Sequence, residues 1–220
     1  MSSHHEHGAH EHADPHTHLS PTDYWEQRYA DSERIWSGEV NATLAAVAGE
    51  FTPGDSIDLG CGEGGDVLWL AEQGWRAHGL DISATAVGRA REEAAARGLE
   101  NASFTATDLS AWRPDPNSAD LVTASFFQSN VELDRIAILR TAASALRSGG
   151  HLVVISHAAP PPWAGKKGPQ MLSARDDAAQ LDLPSDEWII EEADERSRPA
   201  SGPDGQHTEL IDAVLVVRRR

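Results

Sequence analysis

The 220-residue sequence is short of cysteine, of lysine and of long apolar runs, and each shortage excludes something. Its single cysteine, Cys61, rules out an internal disulfide and any cysteine-rich structural zinc site. No stretch approaches the roughly 20 apolar residues of a membrane span. The polar N-terminus also lacks an apolar signal segment, so a cytoplasmic protein with no membrane partner is expected. Basic residues are scarce: 18 Lys and Arg, only two of them Lys, stand against 35 Asp and Glu, for a formal charge of -17. Such a surface repels phosphate backbones, and the one concentrated basic run is Arg218 to Arg220, so no nucleic-acid partner is expected. The length suits one domain with a core of ordinary size.

Histidine is what the N-terminus has in excess. His4, His5, His7, His10, His12, His16 and His18 crowd the stretch MSSHHEHGAHEHADPHTHLS, which has no apolar periodicity. It cannot bury enough surface to offset the entropy of ordering, so residues 1–20 are expected to form a disordered tail. Neutral imidazoles in His-x-His pairs suit zinc, nickel or copper, which makes weak divalent-metal binding by the tail an expectation. No metal is expected in the core.

From Pro21 onward the pattern is that of a folded domain. YWEQRYADSERIW places Trp25 and Tyr29 four residues apart, on one helical face, and a second helix is expected over 41–50. Strands and helices then alternate. DSIDLG leads through a glycine loop into EGGDVLWLAEQG; RAHGLDI precedes a helix with Ser83 as N-cap and Gly98 as C-cap; ASFTA and ADLVTAS follow. A helix is expected over 133–147, ended by Ser148-Gly149-Gly150, and HLVVIS reads as a strand buried on both faces. Such alternation gives an α/β fold with a parallel sheet and right-handed crossovers. EWIIEEADERSR and ELIDAVLVVRR, joined by a Ser-Gly-Pro-Asp-Gly turn, suit an antiparallel hairpin at one edge. An exposed edge hairpin on a domain this small is compatible with a monomer or a homodimer.

The chemistry concentrates in IDLGCGEGG, residues 57–65. Gly60, Gly62 and Gly65 match G-x-G-x-x-G, a weak signal alone. Asp58, two residues before the first glycine, stands where a dinucleotide site usually keeps an apolar side chain. Asp81 ends the next strand about twenty residues further on, where a carboxylate can hold both ribose hydroxyls. Glycine serves such a loop by accepting positive φ and by letting backbone N–H groups approach a ligand closely.

Together IDLGCGEGG, GLDIS, TDL and LRSGGHL resemble the landmarks of class I S-adenosylmethionine-dependent methyltransferases. YWEQRYADSERIWSGEVN is similar to the start of the small single-domain type related to tellurite-resistance and thiopurine methyltransferases. Ser148 departs from the proline usual in the fourth landmark. The resemblance implies a Rossmann-like class I fold over 21–220: a mostly parallel seven-stranded sheet with an antiparallel edge hairpin, helices on both faces, and lid helices at 21–52. It implies S-adenosylmethionine as cofactor, with no required metal. By position, Asp58, Gly60, Cys61 and Gly62 would border its methionine part. Asp81 would hold the ribose with Ile82 against the adenine, and Asp108 and Leu109 would contact the base. Ser125 and Phe126 would lie below the sulfonium, and Trp25, Arg28, Tyr29 and Trp36 would form the lid, Arg28 bonding the cofactor carboxylate.

After the fourth strand the chain reads SFFQSN, which lacks the Asn/Asp-Pro-Pro-aromatic motif of amino-group methylation. Phe127, Gln128, His157 and Trp163 are the substrate-pocket candidates, with Gln128 and His157 the catalytic ones. A thiolate or soft metalloid anion arrives deprotonated, so catalysis by positioning on a small soft acceptor is expected. Two other readings stay open: a His-rich metal-binding or metal-buffering protein on a ligand-binding domain, and an NAD-dependent oxidoreductase.

Overall fold

The computed structural model describes residues 19–35, 37–160, 171, 173–201 and 205–220. The His-rich tail, Trp36 and Trp163 lie outside the described residues.

Chain order is α1 (Pro21–Ala30), α2 (Ala42–Ala48), β1 (Asp55–Leu59), α3 (Gly65–Glu72), β2 (Arg76–Asp81), α4 (Ala84–Arg97) and β3 (Ala102–Ala106). Then come β4 (Ala119–Ser125), α5 (Arg135–Ala143), β5 (Leu146–His157), α6 (Ala174–Leu181), β6 (Trp188–Ser201) and β7 (His207–Arg219). The seven strands form one sheet in the order β3-β2-β1-β4-β5-β7-β6. β1 to β5 run parallel to their neighbours, while β7 pairs antiparallel with β5 and β6 with β7, so the expected edge hairpin is present.

The wholly apolar strands are read by two cores. Leu152 and Val154 of β5, with Leu215 and Val217 of β7, pack on the α5 and α6 side. Val153 and Ile155, with Val214 and Val216, pack on the α2, α3 and α4 side. Successive strand residues point to opposite faces, so a continuous apolar run requires helices on both.

Local signals work as expected at several ends. Ser20 accepts from the Asp23 N–H at 3.1 Å with Pro21 opening α1. Ser83 accepts from the Ala86 N–H at 3.1 Å, and Gly98 closes α4 in the left-handed region. Two boundaries differ. The helix expected over 133–147 stops at Ala143, and β5 begins at Leu146 because Leu146 already pairs with Ala119 ahead of a register shift in β4. α6 is an additional helix, started by a capping box between Ser173 and Asp176. It is held to α5 by Arg135, which donates to Asp177 Oδ1 at 2.6 Å and Oδ2 at 2.8 Å. Among the described residues no helix is long and apolar enough to cross a membrane.

Candidate active site

Sheet order reverses between β1 and β4, and the carboxyl ends of the strands beside such a point open into a crevice. There the structure has a cavity of about 690 Å³, lined in part by the glycine loop, the ends of β1 to β4 and α1.

The loop after β1 is set by its glycines, though not in the manner expected. Gly60 and Gly62 have φ of +68° and +52°, in the left-handed region. A Cβ on Gly60 would stand 2.7 Å from Phe127 Cδ2, so this residue is also where the Phe127 ring lies on the loop. Four of the loop's N–H groups, however, are spent inside the protein. Those of Gly60 and Cys61 donate to the Leu80 carbonyl at 2.8 and 3.0 Å, that of Gly64 to the Cys61 carbonyl, and that of Gly62 to Asp81 Oδ2 at 2.8 Å. At Gly60, Gly62 and Gly64 glycine provides backbone shape and space rather than donors aimed at a ligand. Cys61 packs against Gly79, and burial pushes its thiol well above the usual range, with Asp81 and Asp58 adding to the rise. A protonated thiol is a poor nucleophile.

Buried Asp58 and Asp81 line the cavity, as do buried Glu63, which is paired with Arg89 at 2.9 Å, and half-buried Asp66. Asp81 receives the Gly62 N–H on one oxygen and the Ser83 N–H at 2.9 Å on the other. Burial raises its carboxyl, and these backbone donors hold the rise down. Asp58 accepts from Thr123 Oγ1 at 2.6 Å; burial carries it well above the usual range, and the charges of Asp66 and Asp81 add to this. Asp66, which sequence reasoning missed, accepts from the Asn41 N–H at 2.7 Å and is likewise raised by burial. An acidic residue in the first turn of the helix following a glycine loop was the available signal.

Ile82, Asp108, Leu109, Ser125, Phe126, Phe127 and Gln128 line the same cavity. Phe126 has φ of +51°, rare for an aromatic residue, in the turn that leaves β4. Its N–H donates to the Ile155 carbonyl at 2.8 Å, and its ring stacks on His157 at 4.1 Å. His157 itself does not line the cavity; its Nδ1 faces buried Asp212 Oδ1 at 3.8 Å.

α1 lies over the opening. Trp25 Nε1 donates to Ser129 Oγ at 3.1 Å, and Tyr24 Oη accepts from Asn130 at 3.2 Å. On the other side Glu26 accepts from Ser83 Oγ at 2.7 Å, from the Thr85 N–H and from Thr85 Oγ1. Trp25 and Tyr29 line the cavity, whereas Arg28 turns away: it lies over the Trp25 ring at 5.5 Å and donates to Tyr24 Oη. Glu26 was not foreseen, because its partners are more than fifty residues away in sequence.

Residues 57–150 match the model of a methyltransferase domain family. Over this stretch the chain is similar to methyltransferase domains. Over 104 residues the chain is 36% identical to 2-heptyl-1-hydroxyquinolin-4(1H)-one methyltransferase of Mycobacteroides abscessus, covering 46% of this chain and 45% of that one. Ribosomal RNA methyltransferases match over shorter stretches of 48 to 79 residues. The chain thus spans under half the length of these curated relatives. A solved structure described for the conversion of a disulfide bond into a thioacetal group during echinomycin biosynthesis is 27% identical, with TM-score 0.71, covering 90% of this chain and 92% of that one. TehB of Haemophilus influenzae shares the fold, with TM-score 0.64 at 17% identity, over 90% of this chain and 67% of that one. The class I, Rossmann-like fold extends across the described sheet around residues 57–150.

Proposed function

We propose that the protein transfers a methyl group from S-adenosylmethionine to a small-molecule acceptor bearing a soft nucleophile, a thiolate foremost. One continuous cavity carries this reading. Asp58, Asp66 and Asp81 line it together with Phe127, Leu133 and Ile138, and no histidine or lysine is among the lining residues described. The residues fit the cofactor: buried carboxylates suit its ammonium and sulfonium charges, and Asp81 has lone pairs left for ribose hydroxyls after accepting two N–H groups.

Asp81 would hold the ribose, Ile82, Asp108 and Leu109 the base, and Asp58 with the glycine loop the methionine part. When bound, S-adenosylmethionine supplies an electrophilic methyl carbon on a sulfonium. The protein's task is then alignment and exclusion of water. Trp25 and Tyr29 cover the cavity from α1, and the ring of Phe127 sits on Gly60. A hydroxyl or amine acceptor needs a positioned base. The lining carboxylates on the Phe127 side, Glu132 and Asp134, are exposed, and Asp134 is already occupied in capping α5. A thiolate needs none. The thioacetal chemistry described for the fold neighbour at 27% identity supports a sulfur acceptor.

Calorimetry with S-adenosylhomocysteine, followed by a screen of matched thiols, phenols and amines with labelled cofactor, tests the reading. Binding of the nucleoside with preferred turnover of the thiols is expected. Binding of NAD in place of S-adenosylhomocysteine, or equal turnover of the phenols, would refute it. A protein lacking residues 1–18 is expected to keep full turnover, whereas loss of turnover would bring the histidine tail into the reaction.

A further inference from the structure

Arg198 of β6 is the only cation among the described residues lining the cavity, against eight carboxylates. Those carboxylates suit a cofactor with positive groups; they do not explain the arginine. Its placement is built with care. Arg198 lies across from Leu210 of β7 in the hairpin, and its side chain reaches diagonally to Asp212, where Nε donates to Oδ2 at 2.7 Å. Asp212 is fully buried, and Thr43 Oγ1 donates to the same oxygen at 2.7 Å. Burial alone would raise the Asp212 carboxyl, but the neighbouring His157 imidazole, the hydrogen bond from Thr43 and the charge of Arg198 bring it below the usual range. Among the described residues the guanidinium is held by its Nε edge only.

The guanidinium carbon lies 5.6 Å from the centre of the Phe126 ring, which is also stacked with the His157 ring. Both terminal nitrogens are left without a hydrogen-bond partner among the described residues. The side chain is only 20% exposed, so water shields it little. A planar fork with a free bidentate edge is the form in which arginine recognises carboxylates. Arg198 reaches the cavity from the hairpin side of the sheet, beyond β4 and β5, while Asp81 and the Asp108 turn lie at the opposite end, beyond β2 and β3.

Resting on the methyltransferase reading above, we propose that Arg198 binds the acceptor, and that the acceptor is a small organic acid whose carboxylate docks on the arginine fork while its apolar body lies toward Phe127, Leu133 and Ile138. Arg198 is then a specificity-determining residue, and Asp212 positions it.

The test uses the full-length protein saturated with S-adenosylhomocysteine and calorimetry with 2-mercaptobenzoate and its methyl ester. The wild-type protein is expected to bind the acid at least about tenfold more tightly than the ester. Arg198→Gln should abolish that difference and Arg198→Lys should retain part of it, with affinity for S-adenosylhomocysteine unchanged within about twofold in both. A wild-type protein that does not discriminate, or an Arg198→Gln protein that still does, overturns the proposal. So does a roughly tenfold loss of S-adenosylhomocysteine affinity in Arg198→Gln, which would assign the fork to the cofactor carboxylate. Should Arg198→Gln fail to fold, the guanidinium NMR signals of the wild-type protein decide: the acid must shift an arginine Nη resonance that the ester leaves in place and that is absent in Arg198→Lys. If S-adenosylhomocysteine does not bind the wild-type protein, the methyltransferase reading fails, and the acid and ester comparison without it still scores Arg198.

Discussion

Asp81 both faces the cavity and holds the glycine loop, and Asp81→Ala together with Asp81→Asn separates the two roles. Its two oxygens receive the N–H groups of Gly62 and Ser83 at 2.8 and 2.9 Å, and the residue is only 6% exposed. Alanine leaves both donors without a partner in a place water reaches poorly, at a cost of about 1–3 kcal/mol each. Removing a carboxylate whose burial is itself costly returns part of this, so the expected loss is about 2–4 kcal/mol. For a domain of this size that is on the order of 5–15 °C in Tm. Asparagine keeps one acceptor and turns an NH₂ group toward the other donor, for about half the effect. Scanning calorimetry of the ligand-free proteins at neutral pH measures both. Addition of S-adenosylhomocysteine at a hundredfold excess over its Kd then stabilises the wild-type protein by about 2.7 kcal/mol, and most of this should be missing in the asparagine variant. An alanine variant that melts within about 2 °C of wild type would refute the structural role. Unchanged nucleoside affinity in Asp81→Asn would refute the ribose site.

Further outcomes follow from the other buried groups. Asp58 binds its proton more tightly folded than unfolded, so its favourable contribution is complete below the unfolded pKa and is lost as pH rises through the raised folded value. Asp58→Asn should therefore lose less stability than wild type between about pH 4 and 8, and parallel melting curves would contradict this. Glu26 is opposite in sign: burial would raise it, but hydrogen bonds from Thr85 and Ser83 outweigh that and lower it, so its contribution holds above the unfolded pKa and fades as pH falls through the folded one. In Glu26→Gln, amide exchange in α1 should quicken while β1 and β4 stay protected; unaltered exchange in α1 would show that the clamp on α4 does not hold the helix. Arg135→Met strands buried Asp177 and should cost about 3–5 kcal/mol in denaturant unfolding, whereas Arg135→Met with Asp177→Leu should recover most of it. A single variant as stable as wild type would rule out that network as a tie between α5 and α6.

Where a signal is local, the sequence is legible. The glycine loop, the Ser83 and Gly98 caps, the doubly apolar β5 and the C-terminal hairpin all appear as read, because a turn, a cap or a strand leaves its mark within a few residues. α5 and β5 were misdivided for the same reason: Leu146 continues the helical spacing, and only its pairing with Ala119 makes it a strand residue. α6 went unread although its Ser173-x-x-Asp176 box was visible.

The sequence by itself determined the class of fold and the glycine loop and strand-end carboxylates that line part of the cavity, since alternation, glycine spacing and strand-end carboxylates are set by short-range geometry. The tertiary structure alone decided how those residues are used. It turned the loop's N–H groups inward to Leu80 and Asp81, took His157 out of the cavity, and clamped Glu26 on α4. It also brought Thr43, Arg198 and Asp212 together beside Phe126. Thr43 and Asp212 are 169 residues apart, and a contact over that distance exists only once the sheet has placed β7 beside β5.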